Sequence, residues 1–240
     1  MPAMSAPAPA HFTESTTHYW QEILPASANT AGHADPWRQG YPAHLPDGPV
    51  LLLPIRQLAS DPQLAVASLL INQASLQVAE TLGDMLADRL AALRPDIILG
   101  LPTLGLTLAP LVARRLGHTR YLPLGTSRKF WYDEALSAAV QSITSPGPGK
   151  RIYLDPHLLP LLLRGARLAL VDDALSTGTT MAAVWNMIES LGGEVVACGV
   201  AMLQGRRWVE ALGPQRVARV MGVFESPLLR AVPEGWALRD

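Results

Sequence analysis

Two adjacent carboxylates followed by a cluster of hydroxyls are the residues of this sequence best suited to chemistry. Asp172 and Asp173 come directly after residues 168–171, whose four apolar side chains predict a buried parallel strand. Residues 176–180 then read Ser-Thr-Gly-Thr-Thr, and the apolar period over residues 181–191 predicts a helix. We therefore expect the carboxylates and the hydroxyls to lie together where the strand ends and the helix begins.

This arrangement suits a sugar phosphate. The first amides of a helix have no partners within it, so residues 176–180 can bind a phosphate with backbone N–H groups as well as hydroxyls. Carboxylates would repel a bare phosphate, but Asp172 and Asp173 can accept hydrogen bonds from a sugar diol or hold the water of a metal ion. An ordinary strand-to-helix turn with Asp and Ser as capping residues is the alternative. The stretch lacks both Gly-Lys-Ser/Thr and Gly-x-Gly-x-x-Gly, which excludes a Walker P-loop and a dinucleotide fingerprint.

The stretch resembles the phosphoribosyl-pyrophosphate (PRPP) signature of the type I phosphoribosyltransferases: an apolar strand, two acidic residues, two apolar residues, then Ser/Thr-Thr-Gly-x-Thr. The layout of the chain is most similar to that of adenine and xanthine phosphoribosyltransferases, because a hood strand and a long helix precede the first core strand. The resemblance implies an α/β fold, a doubly wound parallel sheet with a small hood subdomain. The PRPP-binding residues it implies here are Asp172, Asp173, Ala174, Leu175, Ser176, Thr177, Gly178, Thr179 and Thr180.

The resemblance also implies an activity. A type I enzyme transfers ribose 5-phosphate from PRPP to a base and releases pyrophosphate, and in this chain we expect a purine base and nucleotide salvage. Asp172 and Asp173 would be catalytic residues that fix the ribose. The implied cofactor is Mg2+, held mainly through PRPP, with a water-mediated contact to Asp172 or Asp173.

A second loop is expected at the same edge of the sheet. Residues 96–99 predict a core strand and residues 106–116 a helix. A plain strand-to-helix turn with glycines for tight geometry would look the same. The resemblance implies that the loop contacts pyrophosphate, often through an unusual cis peptide, and the residues it assigns are Thr103, Leu104 and Gly105.

Arg128 and Lys129 follow a third predicted strand, residues 121–124. We expect these two cations to act in catalysis by stabilising the departing pyrophosphate. A basic pair on a solvated surface loop is the alternative. The aromatic run at residues 130–132 could stack on a base or pack in a dimer contact.

Asn72 and Gln73 are the candidates for base recognition. They resemble in position an Asn-containing loop that precedes the long helix of xanthine phosphoribosyltransferases, whereas residues 51–54 lack the aromatic with which adenine enzymes stack on their base. An amide can donate to a purine oxo group and accept from a ring N–H, although either residue could equally be a capping or solvent-facing amide. We expect a purine rather than orotate or uracil, with a 6-oxopurine such as xanthine slightly ahead of adenine.

One phosphoribosyltransferase domain is expected over residues 45–240. Residues near 45–75 would form its hood, and residues near 138–154 a flexible hairpin, for which a plain surface hairpin is the alternative. Residues 1–44 are expected to be an N-terminal extension that is partly disordered, since its first ten residues are rich in Ala and Pro. A chain of 240 residues with 49% hydrophobic content suffices for such a domain.

The composition indicates which classes of binding partner to expect. A net charge of −1 and 16% charged residues offer no basic face, so we expect neither nucleic acid nor a membrane as partner. The single cysteine, Cys198, lies in an apolar run and is expected to be a buried thiol. We expect a cytoplasmic homodimer. The rival class is a PRPP-sensing regulatory protein with the same fold, although residues 1–44 lack the helical period and basic charge of a helix-turn-helix.

Overall fold

The computed structural model describes residues 15–28, 35–140, 150–162 and 165–239. These residues form two compact units, one from the residues up to Val78 together with those from Phe224 onward, and the other from Ala79–Val223. In the described residues no helix is both long and apolar enough to cross a membrane.

The strands are β1 (Gly40–His44), β2 (Val50–Leu58), β3 (Asp61–Ala67), β4 (Ile97–Gly100), β5 (Leu122–Pro123), β6 (Ser137–Ala139), β7 (Arg151–Tyr153), β8 (Arg167–Leu175), β9 (Glu194–Gln204), β10 (Val220–Ser226), β11 (Leu228–Val232) and β12 (Gly235–Leu238). The α-helices are α1 (Leu76–Leu90), α2 (Gly105–Arg115), α3 (Leu159–Leu162), α4 (Thr179–Ser190) and α5 (Arg207–Val217).

A five-stranded sheet in the order β10-β9-β8-β4-β5 is the centre of the unit Ala79–Val223. β4 pairs in parallel with β5 and β8, and β8 pairs in parallel with β9. Residues 168–171 of β8 are fully buried, which is why this strand is continuously apolar rather than alternating. The predicted buried parallel strand is confirmed, and it continues through both aspartates to Leu175.

Two helices begin just after two of these strands. α2 follows β4 and packs on β4 and β8, and α4 follows β8 and packs on β9. This alternation of strands and helices confirms the expected α/β class with a parallel sheet. In such sheets the loops at the carboxyl ends of the strands form the ligand site. We therefore expect the site at the carboxyl ends of β4 and β8.

The other unit is built on a five-stranded sheet in the order β1-β2-β3-β11-β12. The pairs β1–β2, β2–β3, β3–β11 and β11–β12 are all antiparallel. Residues 45–75, expected to form a hood, supply two of the strands. β1 lies before them in the chain, and the last two strands come from the tail of the protein.

A proline lies inside strand β2 of this sheet. β2 continues through Pro54 to Leu58, and residues 61–67 form β3. Pro54 is tolerated because it lies where the pairing with β1 ends, at Gly40, and just before the pairing with β3 begins, at Ile55. In the other unit, α5 restarts after the kink at Gly213, and β10 begins at residue 220.

The expected hairpin near residues 138–154 is present as the antiparallel pair β6–β7. Its connecting residues 141–149 lie outside the described residues, so their flexibility remains a prediction. Cys198 is buried as expected, and burial raises the pKa of its thiol.

Candidate active site

Asp172 and Asp173 lie near the carboxyl end of β8 and are half-buried. Oδ1 of Asp172 accepts a hydrogen bond from the backbone N–H of Asp173 at 2.9 Å, and the backbone N–H of Gly105 donates to the same carboxylate. One carboxylate is therefore held by the protein backbone from two sides. The carboxylate of Asp173 likewise accepts from backbone N–H groups, its own and that of Ala174.

Burial dominates the electrostatics of this pair. Burial raises the pKa of Asp172 well above its ordinary value, and the charge of Asp173 raises it further. Burial also raises the pKa of Asp173 to about 6. Without a ligand the pair therefore resists carrying two full negative charges, and a sugar diol or a nearby cation would stabilise its ionised form.

The loop after β8 has the geometry of an anion site. Gly178 has a left-handed φ of 79° and precedes the first residue of α4, Thr179, so the first turn of the helix, whose amides have no acceptor within the helix, begins at this loop. The hydroxyls of Thr177 and Thr179 lie 3.1 Å apart. A Cβ on residue 178 would lie 3.0 Å from Cα of Trp208, so the glycine also lets the loop pack closely against α5.

The loop after β4 reaches the acidic pair. The peptide bond between Pro102 and Thr103 is cis, the feature that the resemblance implied for this loop. A Cβ on residue 105 would lie 2.7 Å from both Cα of Asp172 and the carbonyl oxygen of Val171. Gly105 is thus required for the close approach of this loop to β8. The structure brings residue 105 and Asp172 together, as the two motifs predicted.

Arg128 and Lys129 lie in the loop after β5, and both side chains are exposed. Nη1 of Arg128 lies 3.4 Å from Oε2 of Glu134, while the other oxygen of Glu134 lies 2.8 Å from Nε of Arg151. Because the Arg128 side chain is 57% exposed, its ion pair contributes only about 0–1 kcal/mol, and the guanidinium stays available to an anionic ligand. Sequence reasoning missed Glu134, since no spacing along the chain links it to either arginine.

Comparison with known proteins shows the family to which this chain belongs. A family model described as a phosphoribosyl transferase domain matches residues 65–218, well over half of the chain. The chain belongs to the phosphoribosyltransferase family.

Several relatives of the chain are adenine phosphoribosyltransferases. The protein is 34% identical to that of Cereibacter sphaeroides over 134 residues, which cover 54% of this chain and 71% of the relative. It is 35% identical to that of Oenococcus oeni over 126 residues, 51% of this chain and 67% of the relative. The crystal structure of adenine phosphoribosyltransferase from Saccharomyces cerevisiae has the same fold, with a TM-score of 0.55 at 18% identity over 71% of this chain and 93% of the yeast chain. The type I resemblance and the fold predicted from sequence are therefore confirmed.

In this phosphoribosyltransferase the candidate base-recognition residues belong to the other unit. Asn72 and Gln73 lie in a 3-10 turn, Ile71–Gln73, directly before α1, and both are exposed. The backbone carbonyl of Gln73 accepts a hydrogen bond from Nε2 of Gln21 at 3.0 Å. Sequence reasoning also missed Gln21, because its segment has no regular period.

The acidic pair fits a magnesium ion that the substrate helps to hold. Mg2+ usually takes one or two carboxylates and completes its shell with waters and substrate phosphates. Asp172 or Asp173 could supply such a carboxylate through a bridging water, with PRPP holding the ion. Among the described residues there is no group of three or more His, Cys, Asp or Glu side chains that could hold a metal without such help.

Proposed function

We propose that this protein transfers the 5-phosphoribosyl group of PRPP to a purine base and releases pyrophosphate, in nucleotide salvage. The observation that carries the proposal is the acidic pair of β8 followed by the Ser176–Thr180 loop at the start of α4, in a chain of the phosphoribosyltransferase family. In the reaction the bond from C1 of the ribose to pyrophosphate breaks, a bond from C1 to a purine nitrogen forms, and the proton on that nitrogen is lost.

The 5-phosphate is assigned to the loop that opens α4. Its backbone amides and the hydroxyls of Ser176, Thr177, Thr179 and Thr180 are the donors, and the partial positive charge of the helix terminus adds to them. Ala174 and Leu175 continue the strand into this loop. Binding the phosphate here would hold the sugar in a fixed orientation relative to the acidic pair.

The ribose is assigned to Asp172 and Asp173. Their carboxylates accept hydrogen bonds from the ribose hydroxyls, and their negative charge favours the cationic character that the sugar gains as the pyrophosphate leaves. The raised pKa values of the pair support this role, because a partly buried carboxylate gains more from hydroxyl donors and from a developing cation than an exposed one does.

The departing pyrophosphate is assigned to residues 103–105 and to the cations Arg128 and Lys129. Backbone amides of the loop donate to its oxygens, and the two cations stabilise the charge that accumulates on it. Bound Mg2+ would supply further positive charge at the same group. Arg128 would exchange its weak pairing with Glu134 for the pyrophosphate.

Two observations bear on which purine is used. The curated relatives named above are adenine enzymes, which supports adenine. The resemblance of Asn72 and Gln73 to a loop of xanthine enzymes favours a base with an oxo group, and both residues are exposed and thus accessible to a ligand. Adenine and xanthine are therefore the two bases to compare first. A cytoplasmic location and a homodimeric state are part of the proposal.

Turnover with a panel of bases tests the function. Purified protein with PRPP and Mg2+ is expected to release pyrophosphate and form a nucleoside monophosphate with at least one of adenine, xanthine, guanine and hypoxanthine, but not with orotate or uracil. Use of a pyrimidine alone would overturn the purine assignment. Calorimetric binding of PRPP without turnover of any base would favour the PRPP-sensing regulator instead.

A further inference from the structure

The N-terminal segment, residues 15–28, packs into the unit that contains the candidate base-recognition turn. The family model begins only at residue 65, so this segment lies outside the matched region. Even so, the side chains of Tyr19 and Trp20 are only 1% and 2% exposed. Burying two large aromatics contributes substantially to stability, and it marks the segment as an integral part of this unit.

Hydrogen bonds join the segment to both sides of the turn. The indole N–H of Trp20 donates to the carbonyl of Ser68 at 3.0 Å, and the Trp20 carbonyl accepts from the N–H of Ser75 at 3.0 Å. Between these two, Nε2 of Gln21 donates to the carbonyl of Gln73 at 3.0 Å. The segment therefore contacts the turn itself, at the carbonyl of Gln73, and also the chain before the turn, at Ser68, and after it, at Ser75.

Two further contacts hold the elements on either side of the turn and the segment. Ser75 caps α1, because its Oγ accepts from the N–H of Val78 at 3.1 Å. Leu24 exchanges two backbone hydrogen bonds of 2.8 Å with Val50 of β2. The start of α1 and strand β2 are thus both held, and the Gln21 amide is a side-chain contact to Gln73, the last residue of the turn.

We propose that Gln21 is a positioning residue for base recognition. Its amide fixes the Gln73 carbonyl and so holds Asn72 and Gln73 in the conformation that binds the base. A three-residue turn has few hydrogen bonds of its own, so without Gln21 it samples more conformations and part of the base-binding free energy is lost in ordering it. This inference rests on the proposed function and on the assignment of Asn72 and Gln73 to the base.

Steady-state kinetics of Gln21→Ala test the inference, with Gln57→Ala as the matched control. Nε2 of Gln57 also donates to a backbone carbonyl of the same unit, that of Pro62 at 2.8 Å, but within the β2–β3 hairpin. The base is the purine that the wild type uses with the highest kcat/KM. Loss of the Gln21 hydrogen bond is expected to raise the KM for this base about three- to tenfold and to leave kcat and the KM for PRPP within about twofold. Gln57→Ala is expected to change none of the three constants.

Different outcomes separate this inference from the proposed function. An unchanged KM for the base in Gln21→Ala, beside an active wild type, overturns the inference and leaves the function standing. Equal rises in the KM for base and for PRPP, or the same effect in Gln57→Ala, also overturn it, because general loosening would then explain the data. A wild-type protein that turns over no purine overturns the proposed function, and the inference about Gln21 is then overturned too because it depends on that function.

Discussion

At the residue scale, Asp172 and Asp173 show how a function can oppose stability. Their burial disfavours the ionised forms that the proposed ribose contacts require. A carboxyl whose pKa is raised on folding stabilises the folded state fully below its unfolded pKa near 4, and this contribution is lost as the pH rises through the folded pKa. The ligand-free protein is therefore expected to carry an electrostatic cost at neutral and alkaline pH.

Asp173→Asn removes part of that cost. Since the pKa of Asp173 is raised to about 6, we expect the substitution to increase the unfolding free energy of the ligand-free protein by about 1–3 kcal/mol at pH 8, and the gain to shrink as the pH falls to 4. Urea unfolding at both pH values measures the difference. The same variant is expected to lose PRPP turnover.

Asp84→Asn on the exposed side of α1 is the control, with no gain expected at either pH. A gain for Asp173→Asn that is equal at pH 4 and pH 8 would contradict the electrostatic explanation. Wild-type turnover in the variant would contradict the ribose assignment.

Gly105→Ala addresses the contact between the loop after β4 and the acidic pair. Its Cβ would lie 2.7 Å from backbone atoms of Val171 and Asp172, which cannot move aside as a flexible side chain can. We expect PRPP turnover to fall at least about tenfold, with stability lowered by about 1–3 kcal/mol. Thermal unfolding and pyrophosphate release measure the two effects.

Gly125→Ala is the matched control for that experiment, because a Cβ on residue 125 has no neighbour within 4 Å. It is expected to keep both stability and turnover. Full activity in Gly105→Ala would show that the loop does not need to approach β8 this closely.

At the element scale, α4 and α5 together support the phosphate loop. α4 begins in that loop, and Gly178 packs against α5. Arg216 of α5 joins the two helices at their other ends, where Nη2 donates to Oδ1 of Asn186 and to Oε2 of Glu189, both at 2.6 Å. The guanidinium carbon also lies 5.3 Å from the ring centre of Trp185.

Arg216→Met is expected to lower the unfolding free energy by about 1 kcal/mol, because it removes the ion pair with Glu189 and the hydrogen bond to Asn186 from a guanidinium whose side chain is only 22% exposed. It should also raise the KM for PRPP severalfold, since the loop depends on the packing of these two helices. Urea unfolding and steady-state kinetics measure the two effects.

The control for that variant is Arg114→Met. Arg114 pairs with Glu80 at 3.2 Å, but its side chain is 69% exposed, so the loss should stay within about 0.5 kcal/mol. Equal losses in the two variants would argue against a special role for the contact between α4 and α5.

At the scale of the whole molecule, the proposed homodimeric state needs a surface through which two chains can associate. The Phe130 side chain is 97% exposed and contacts Trp131, which is 45% exposed, with ring centres 4.8 Å apart. Adjacent exposed aromatics are characteristic of interaction surfaces rather than of free surface. This favours the dimer contact among the roles considered for residues 130–132.

Phe130→Ser is therefore expected to weaken dimerisation at least about tenfold. Light scattering after size exclusion, over a range of concentrations, would distinguish the 25.8 kDa chain from its dimer. Leu76→Ser is the control, since Leu76 is also exposed, at 83%, and should leave the dimer intact. An unchanged dimer in Phe130→Ser would place the interface elsewhere, and a monomeric wild type would contradict the homodimer.

The sequence by itself determined the family, the α/β class and the two loops at the ends of β4 and β8. These were predictable because each is encoded locally: a continuous apolar run predicts a buried parallel strand, and the residues that follow it at once carry the chemistry. The acidic pair and the phosphate loop are contiguous in sequence, so no long-range contact had to be inferred to relate them.

Only the tertiary structure decided the features that depend on residues far apart in the chain. Strand β3 and the tail strands β11 and β12 could not be predicted, because they form one sheet only through the pairing of β3 with β11, across more than 160 residues. The pairing of Glu134 with two arginines and the contact of Gln21 with Gln73 likewise join segments that no local pattern relates. The raised pKa values of the acidic pair belong here too, since burial is a property of the packed sheet and not of the two aspartates themselves.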